Sequence, residues 1–262
     1  MTNRRTVLKS LVGVSALAAA GVSLPGIALA DELETLKKNG VMRIAMSGAY
    51  PPFNFINEEN QVVGFDPAIG EEIAKRMGLK VEIITTAWDG IIGGLLANKY
   101  DAIVGSMSIT PDREKVVDFV GPYYRMRRGI FVTKDSKIKT LDDLKTATLG
   151  VTLGETHEQW AREQGYKVRT YKGLPELMLE LENGRVDAIV NDDIPVLLAI
   201  TKNNAPIKQL DVKLGGVADE AGIAIRKGNP ELHKAMQDAL DAMQADGTYL
   251  ALAKKWVGGD IR

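Results

Sequence analysis

Between Val41 and Arg226 short apolar runs of strand length keep alternating with stretches whose apolar residues recur at helical spacing. That alternation restricts the chain to α/β layers built on mainly parallel strands. The first half reads as a strand over 41–47 and a loop, GAYPPFNF over 48–55, whose two prolines exclude a central strand. A helix follows, capped by Asp66 with Pro67 at its first position and Gly78 at its end. Strand 81–85, helix 89–98 and strand 101–104 complete that half. The second half repeats the scheme with strand 148–153, helix 156–164, strand 167–171, helix 175–183 and strand 187–190. LLANKYDAIV, ending at Val104, and LELENGRVDAIV, ending at Val190, share a helix, a polar turn and a strand, which implies two similar halves. After Gly215-Gly216 come a strand over 222–226 and an amphipathic helix with Leu232, Ala235, Met236, Ala239, Leu240 and Met243 on one face. A last helix spans 248–256.

The first 30 residues stand apart from this pattern. Arg4, Arg5 and Lys9 precede a modestly apolar stretch that ends in Ala28-Leu29-Ala30, as in an export signal cleaved after Ala30. The paired arginines of NRRTVLKS favour twin-arginine export, so a soluble periplasmic chain starting at Asp31 is expected. Cleavage would remove three of the 33 basic residues and none of the 34 acidic ones, leaving a net charge of −4 that argues against a nucleic-acid partner. With no cysteine there is no disulfide framework, thiol nucleophile, thiolate metal site or cysteine-borne lipid anchor. The two histidines, His157 and His233, form no HExxH pattern, and neither a metal nor another cofactor is expected. Both are read as solvent-facing helix residues.

The most informative segment is DAIVGSMSITPDR, residues 101–113. An apolar strand leads into a turn, 105–108, with open backbone amides and two hydroxyls, and then into a helix N-terminus at Thr110-Pro111. A carboxylate would find donors there beside the fork of Arg113. The residues alone leave a second reading, in which Arg113 faces solvent.

Over residues 34–258 the chain resembles the polar amino-acid type of solute-binding protein that serves ABC importers. The resemblance is carried by YPPFNF from Tyr50, GFDPAIGEEIAKRMG from Gly64, WDGIIGGL from Trp88, SMSITPDREKVVDFVGPYY, GRVDAIVNDD ending at Asp193, and ADGTYLALAKKWVG near the C-terminus. It implies an α/β fold of two Rossmann-like lobes joined by a two-stranded hinge, the type II periplasmic binding protein architecture. Residues 31–124 plus 222–262 would form the first lobe, 129–216 the second, and 125–128 and 217–221 the crossings. It implies further that an amino acid binds between the lobes. Arg113 would take its carboxylate, with Ser108 and Thr156; Asp192 would take its ammonium, with the Ser106 hydroxyl and the Gly105 carbonyl. Tyr50 and Trp88 would flank the side chain. Read without the resemblance, Asp192 could instead cap the helix that follows it.

Selectivity is expected to depend on Ser47, where relatives that bind cationic amino acids commonly carry an acid, and on Glu155, a possible substitute. A neutral polar amino acid is favoured. The expected partners are that ligand and a membrane ABC permease, with the chain a monomer. Two other functions stay open. The same fold resembles periplasmic dehydratases of the cyclohexadienyl type, acting on arogenate or prephenate, for which Glu155 and Glu220 are the only acids to nominate, both read as surface residues. A sensor that presents its closed form to a receptor would use the same two-lobed motion.

Overall fold

The computed structural model describes residues 31–214 and 219–262. The expected export signal, and residues 215–218 with part of the second crossing, lie outside them. The strands are β1 (Val41–Met46), β2 (Ala49–Tyr50), β3 (Asn54–Ile56), β4 (Val62–Val63), β5 (Lys80–Thr85), β6 (Ala102–Ser108), β7 (Val117–Met126), β8 (Arg128–Thr133), β9 (Thr148–Thr152), β10 (Lys167–Tyr171), β11 (Ala188–Asp192), β12 (Ile207–Gln209) and β13 (Asp219–Arg226). The α-helices are α1 (Glu32–Asn39), α2 (Phe65–Arg76), α3 (Ile91–Leu96), α4 (Pro111–Glu114), α5 (Thr156–Glu163), α6 (Leu174–Glu182), α7 (Asp193–Asn203), α8 (Pro230–Ala245) and α9 (Thr248–Val257).

Two five-stranded sheets carry the chain, in the orders β5-β1-β6-β13-β7 and β10-β9-β11-β8-β12. Each has three parallel neighbours followed by one reversed strand, β13 in the first and β8 in the second. The two DAIV segments therefore supply the central strands, β6 and β11, of two sheets with the same plan, as their echo implies. Both strands are buried along their whole length, which is why they read as unbroken apolar runs rather than as alternating ones. The architecture is the expected two-lobed α/β fold.

Three local expectations are overturned. Residues 105–108 are not an open turn: β6 runs on to Ser108 because β13 pairs with it there, Gly222 opposite Met107 and Ala221 opposite Ser108. Nor does Asp66 cap α2. The loop carbonyls do so, with Phe65 N donating to Pro52 O (3.1 Å) and Asp66 N to Phe53 O (2.8 Å). Gly64 permits that approach, since its φ is 137° and a Cβ there would lie 2.2 Å from Phe53 O. Asp66 is left as a buried residue of the first turn. His233, third, is half-buried with Nε2 2.8 Å from Phe119 O, because α8 packs on β7 and carries the ring to that carbonyl.

The loop at 48–55 holds β2 and the start of β3, which with β4 form a small antiparallel sheet apart from the two large ones. On α8 the expected stripe is the buried one, with Leu232, Met236, Ala239, Leu240 and Met243 all in the core. Tyr249 of α9 ties the C-terminal segment to the first sheet, donating to Tyr123 O (2.6 Å) and packing edge-on against Phe65 (5.7 Å).

Candidate functional site

Ser47 follows β1, Ser108 ends β6, Glu155 and Thr156 follow β9 and Asp192 ends β11, so these expected site residues sit at the C-terminal ends of parallel strands. That is where open α/β sheets leave backbone groups and loops free to meet a ligand. The side chains form three clusters.

Arg113 centres the first. The Thr110 hydroxyl accepts from Arg113 N (3.3 Å) and caps α4, which aims the side chain back along β6. Its Nη1 donates to Ser108 O (2.9 Å) and its Nη2 to Gly154 O (3.4 Å), while the guanidinium lies 5.8 Å from the centre of the Trp88 ring. Gly105 lies close to β1: a Cβ there would crowd Met46 at 3.3 Å and be in ordinary contact with the indole at 3.7 Å. Among the described residues no carboxylate reaches Arg113 at ion-pair distance. Burial pulls its pKa down, opposed by the charges of Glu155 and Asp219.

Asp192 centres the second. Its side chain is 5% exposed, and its Oδ2 accepts from the Tyr50 hydroxyl, brought in by β2. Tyr50 also stacks on Phe53 (5.7 Å), so its ring is fixed. Asp192 Oδ1 lies 3.2 Å from His157 Nε2 but off the line of a hydrogen bond, and has no aligned donor among the described residues. Its side chain does not cap α7, so the capping alternative falls.

His157 and Glu155 correct the sequence reading. His157 is 1% exposed rather than solvent-facing, because the second position of α5 points into the protein toward Asp192. Glu155, just before α5, is 17% exposed rather than a surface acid, and lies 3.8 Å from His157. Burial pushes its carboxyl up to about 7; His157 and Arg113 pull it down, and Asp192 adds to the rise. Glu220 is a surface acid as expected, paired with Arg125 at 2.9 Å. Thr156, the first residue of α5, is half-buried beside this cluster.

The third cluster was not found from the residues. Asp66 is fully buried and accepts from Asn54 Nδ2 (2.6 Å), Tyr123 OH (2.7 Å) and Ser106 Oγ (2.8 Å). Asn54 in turn accepts from Ser47 Oγ and Gly48 N, both at 2.9 Å. Two residues expected at the ligand, Ser47 and Ser106, thus hang from one carboxylate. Ser106 sits at φ 61°, a conformation rare outside glycine, and is held there by Asp66 and by its own N–H to Tyr123 OH (2.8 Å). Its hydroxyl proton is committed to Asp66, which leaves the oxygen lone pairs to accept. Asp66, Asn54 and Tyr123 all lie in the motifs FDPAIG, PPFNF and GPYY, but a motif does not disclose that its polar members converge.

Burial pushes Asp66 up to about 6 against its three donors. The folded state therefore keeps protons on Asp66 and Glu155 that the unfolded chain releases nearer pH 4, and their contribution to stability falls as pH rises from about 4 to 7. His157, raised by Asp192 and Glu155 despite burial, acts with the same sign at the upper end. The exposed acids Asp246 and Asp260, held down to about 2 by Thr248 and Arg262, lose their contribution only below that window. The ligand-free protein is expected to melt several degrees higher at pH 5 than at pH 8 in a calorimetric scan; an equal or lower melting point at pH 5 would refute the assignment.

A groove of about 680 Å³ opens beside the first cluster, lined by Ser47, Thr85 and Trp88 on one side and Tyr171, Lys172 and Glu176 on the other. The sequence model of the bacterial extracellular solute-binding proteins, family 3, matches residues 42–259. The chain belongs to this family. Among its relatives is the L-cystine-binding protein TcyJ of Escherichia coli strain K12, 36% identical over 97% of this chain and 96% of that one. An ancestral arginine-binding protein bound to glutamine shares 40% identity and a TM-score of 0.78 over 84% of this chain and 98% of that one. An ancestral amino acid-binding protein described as a precursor of cyclohexadienyl dehydratase shares 38% identity and a TM-score of 0.79 over 86% and 99%. These family 3 relatives bind amino acids, and among the described residues of this member no helix is long and apolar enough to cross a membrane.

Proposed function

We propose that this family 3 protein is the periplasmic binding component of an amino-acid ABC importer and closes on one free amino acid. Arg113 takes the carboxylate, with Ser108 and Thr156. Asp192 takes the ammonium, with the Ser106 hydroxyl and the Gly105 carbonyl, and Tyr50 and Trp88 flank the side chain. The observation that carries this reading is a half-buried cation with no carboxylate at ion-pair distance among the described residues, Arg113, and a buried carboxylate oxygen without an aligned donor, Asp192 Oδ1, at the ends of β6 and β11. A zwitterion satisfies both. The lobes would move about crossings at 125–128, where β7 of the first sheet gives way to β8 of the second, and at 217–221, with the closed form docking on the permease.

A neutral ligand with an extended polar side chain suits the groove best. Its near wall carries Ser47, Thr85 and the acid Asp89, its far side Lys172 and Glu176, so groups of both charges face the groove. Cystine, neutral overall with a second amino-acid head at its far end, has that form, and TcyJ supports the choice. In a thermal-shift screen of the free amino acids, arogenate and prephenate, cystine is expected to give the largest shift. At a hundredfold excess over Kd binding is worth about 2.7 kcal/mol. A screen in which no amino acid shifts the melting point would sink the proposal.

Glu155 favours one second reading. A half-buried carboxyl with a pKa of about 7 is a competent proton donor, as a dehydratase acting on arogenate or prephenate requires. Consumption of either compound by the purified protein, lost in Glu155→Gln, would establish that activity.

A further inference from the structure

His157 is tied on both sides of its ring. Nδ1 accepts from Arg128 Nε (3.1 Å), and Nε2 faces Asp192 Oδ1 (3.2 Å) and Glu155 Oε2 (3.8 Å). Arg128 opens β8 directly opposite Asp192 in the ladder, lies 5.3 Å from the Trp160 ring centre and reaches Asp219, the first residue of β13, at 3.5 Å. An acceptor Nδ1 requires the neutral imidazole whose single proton is on Nε2, on the side of the ring that Asp192 approaches. Asp192 thus takes the Tyr50 hydroxyl on Oδ2 and has the His157 N–H beside Oδ1, 3.2 Å away but off the hydrogen-bond line.

We propose that His157 is a positioning residue of the ligand site, which orients Asp192 when neutral and competes with the ligand's ammonium for it when protonated, so that amino-acid affinity falls on acidification. The inference rests on Asp192 receiving the ammonium, as proposed above. Protonation acts in two ways. It turns Nδ1 from acceptor into donor, which breaks the bond from Arg128 at the point where β7 hands over to β8. It also places a full positive charge against Asp192 Oδ1, the oxygen the ammonium would use. The charged and titratable groups around the ring are Asp192 on β11, Glu155 ahead of α5, Arg128 on β8, Asp219 on β13 behind Arg128, Arg113 on α4 and Tyr50 on β2. Asp192 and Glu155 favour the imidazolium while burial and Arg128 oppose it, and the balance lies above an ordinary histidine. Bringing in an ammonium adds one more opposing charge, so ligand binding expels the proton.

By linkage the effect is reciprocal, and it can be read on the free protein and on the complex. His157 and His233 are the two histidines of the chain, so both imidazoles can be followed by NMR and assigned with a His233→Asn variant. The wild-type protein is titrated free and saturated with each of L-cystine, L-glutamine, L-arginine and L-histidine that binds. The His157 pKa is expected to fall by about one unit or more on saturation, and Kd to weaken up to about tenfold per pH unit below the free-protein value. His157→Gln, which keeps an N–H donor without the titration, is expected to bind with a flatter pH profile and more tightly than His157→Ala. A His157 pKa that stays put or rises in the complex overturns the proposal, as does a His157→Gln variant that titrates like the wild type. If none of the four ligands binds, the functional reading falls with it; if Arg113→Ala abolishes binding while His157 is indifferent to ligand, only this inference fails.

Discussion

Arg113→Ala is expected to weaken amino-acid binding by roughly thirtyfold to several thousandfold in isothermal calorimetry, the range for truncating one partner of a buried charge pair, about 2–5 kcal/mol. The guanidinium is the one group of its cluster with a full positive charge. Its contacts to Ser108 O and Gly154 O hold it between β6 and the loop after β9 without neutralising it. Arg113→Lys should rescue little, because a point ammonium cannot reproduce two parallel N–H bonds to a carboxylate and to those carbonyls together. The same half-buried charge, without an ion-pair partner among the described residues, costs stability in the ligand-free state. Arg113→Ala is therefore expected to melt no lower than the wild type, which separates a binding defect from a folding defect. Wild-type affinity in Arg113→Ala would remove the carboxylate assignment.

The largest loss of stability is expected from Asp66→Ala. It leaves Tyr123 OH, Asn54 Nδ2 and Ser106 Oγ buried without their shared acceptor, each a penalty of about 1–3 kcal/mol. Removing the carboxylate also relieves the cost of burying its charge, so a net loss of about 3 kcal/mol is the reasonable figure, or roughly 6–12 °C in melting temperature for a chain of this size. Asp66→Asn keeps an acceptor oxygen and should lose less, while flattening the part of the pH–stability curve that Asp66 supplies. Because Ser106 and Ser47 both depend on Asp66, either variant should also weaken ligand binding. An Asp66→Ala protein that melts with the wild type would mean that the three donors find other partners and that the cluster does not organise the site.

Much of the site was legible along the chain. Arg113 follows a strand and a Thr110-Pro111 helix start, both local properties, and the structure has the strand and the cap where local rules put them; whether the arginine faces solvent was left open by the residues alone. The DAIV echo anticipated two sheets of one plan because a helix, turn and buried strand have the same local requirements in both halves. Asp66 was misread because the local rule, an acid before Pro at a helix start, is satisfied equally well by a cap and by a first-turn residue. What decided between them was Phe53 and Pro52 offering carbonyls through Gly64.

His157 and Glu155 show the limit most clearly. Nothing in LGETHEQWA distinguishes a buried histidine from an exposed one, since α5 is a polar helix with few apolar residues to orient it. Their burial depends on Arg128, 29 positions before His157, and on Asp192, 35 positions after it, arriving from two antiparallel strands of the second sheet. From the sequence alone come the order of strands and helices, because periodicity, caps and turns are enforced between near neighbours, and, through its motifs, the family, whose resemblance implies the roles of Arg113 and Asp192. Which carboxylates are buried, which histidine meets Asp192 and where protons are held were decided only by the tertiary structure. Desolvation and charge coupling depend on what lies within a few ångströms in space, and the groups that lie there are far apart in the chain.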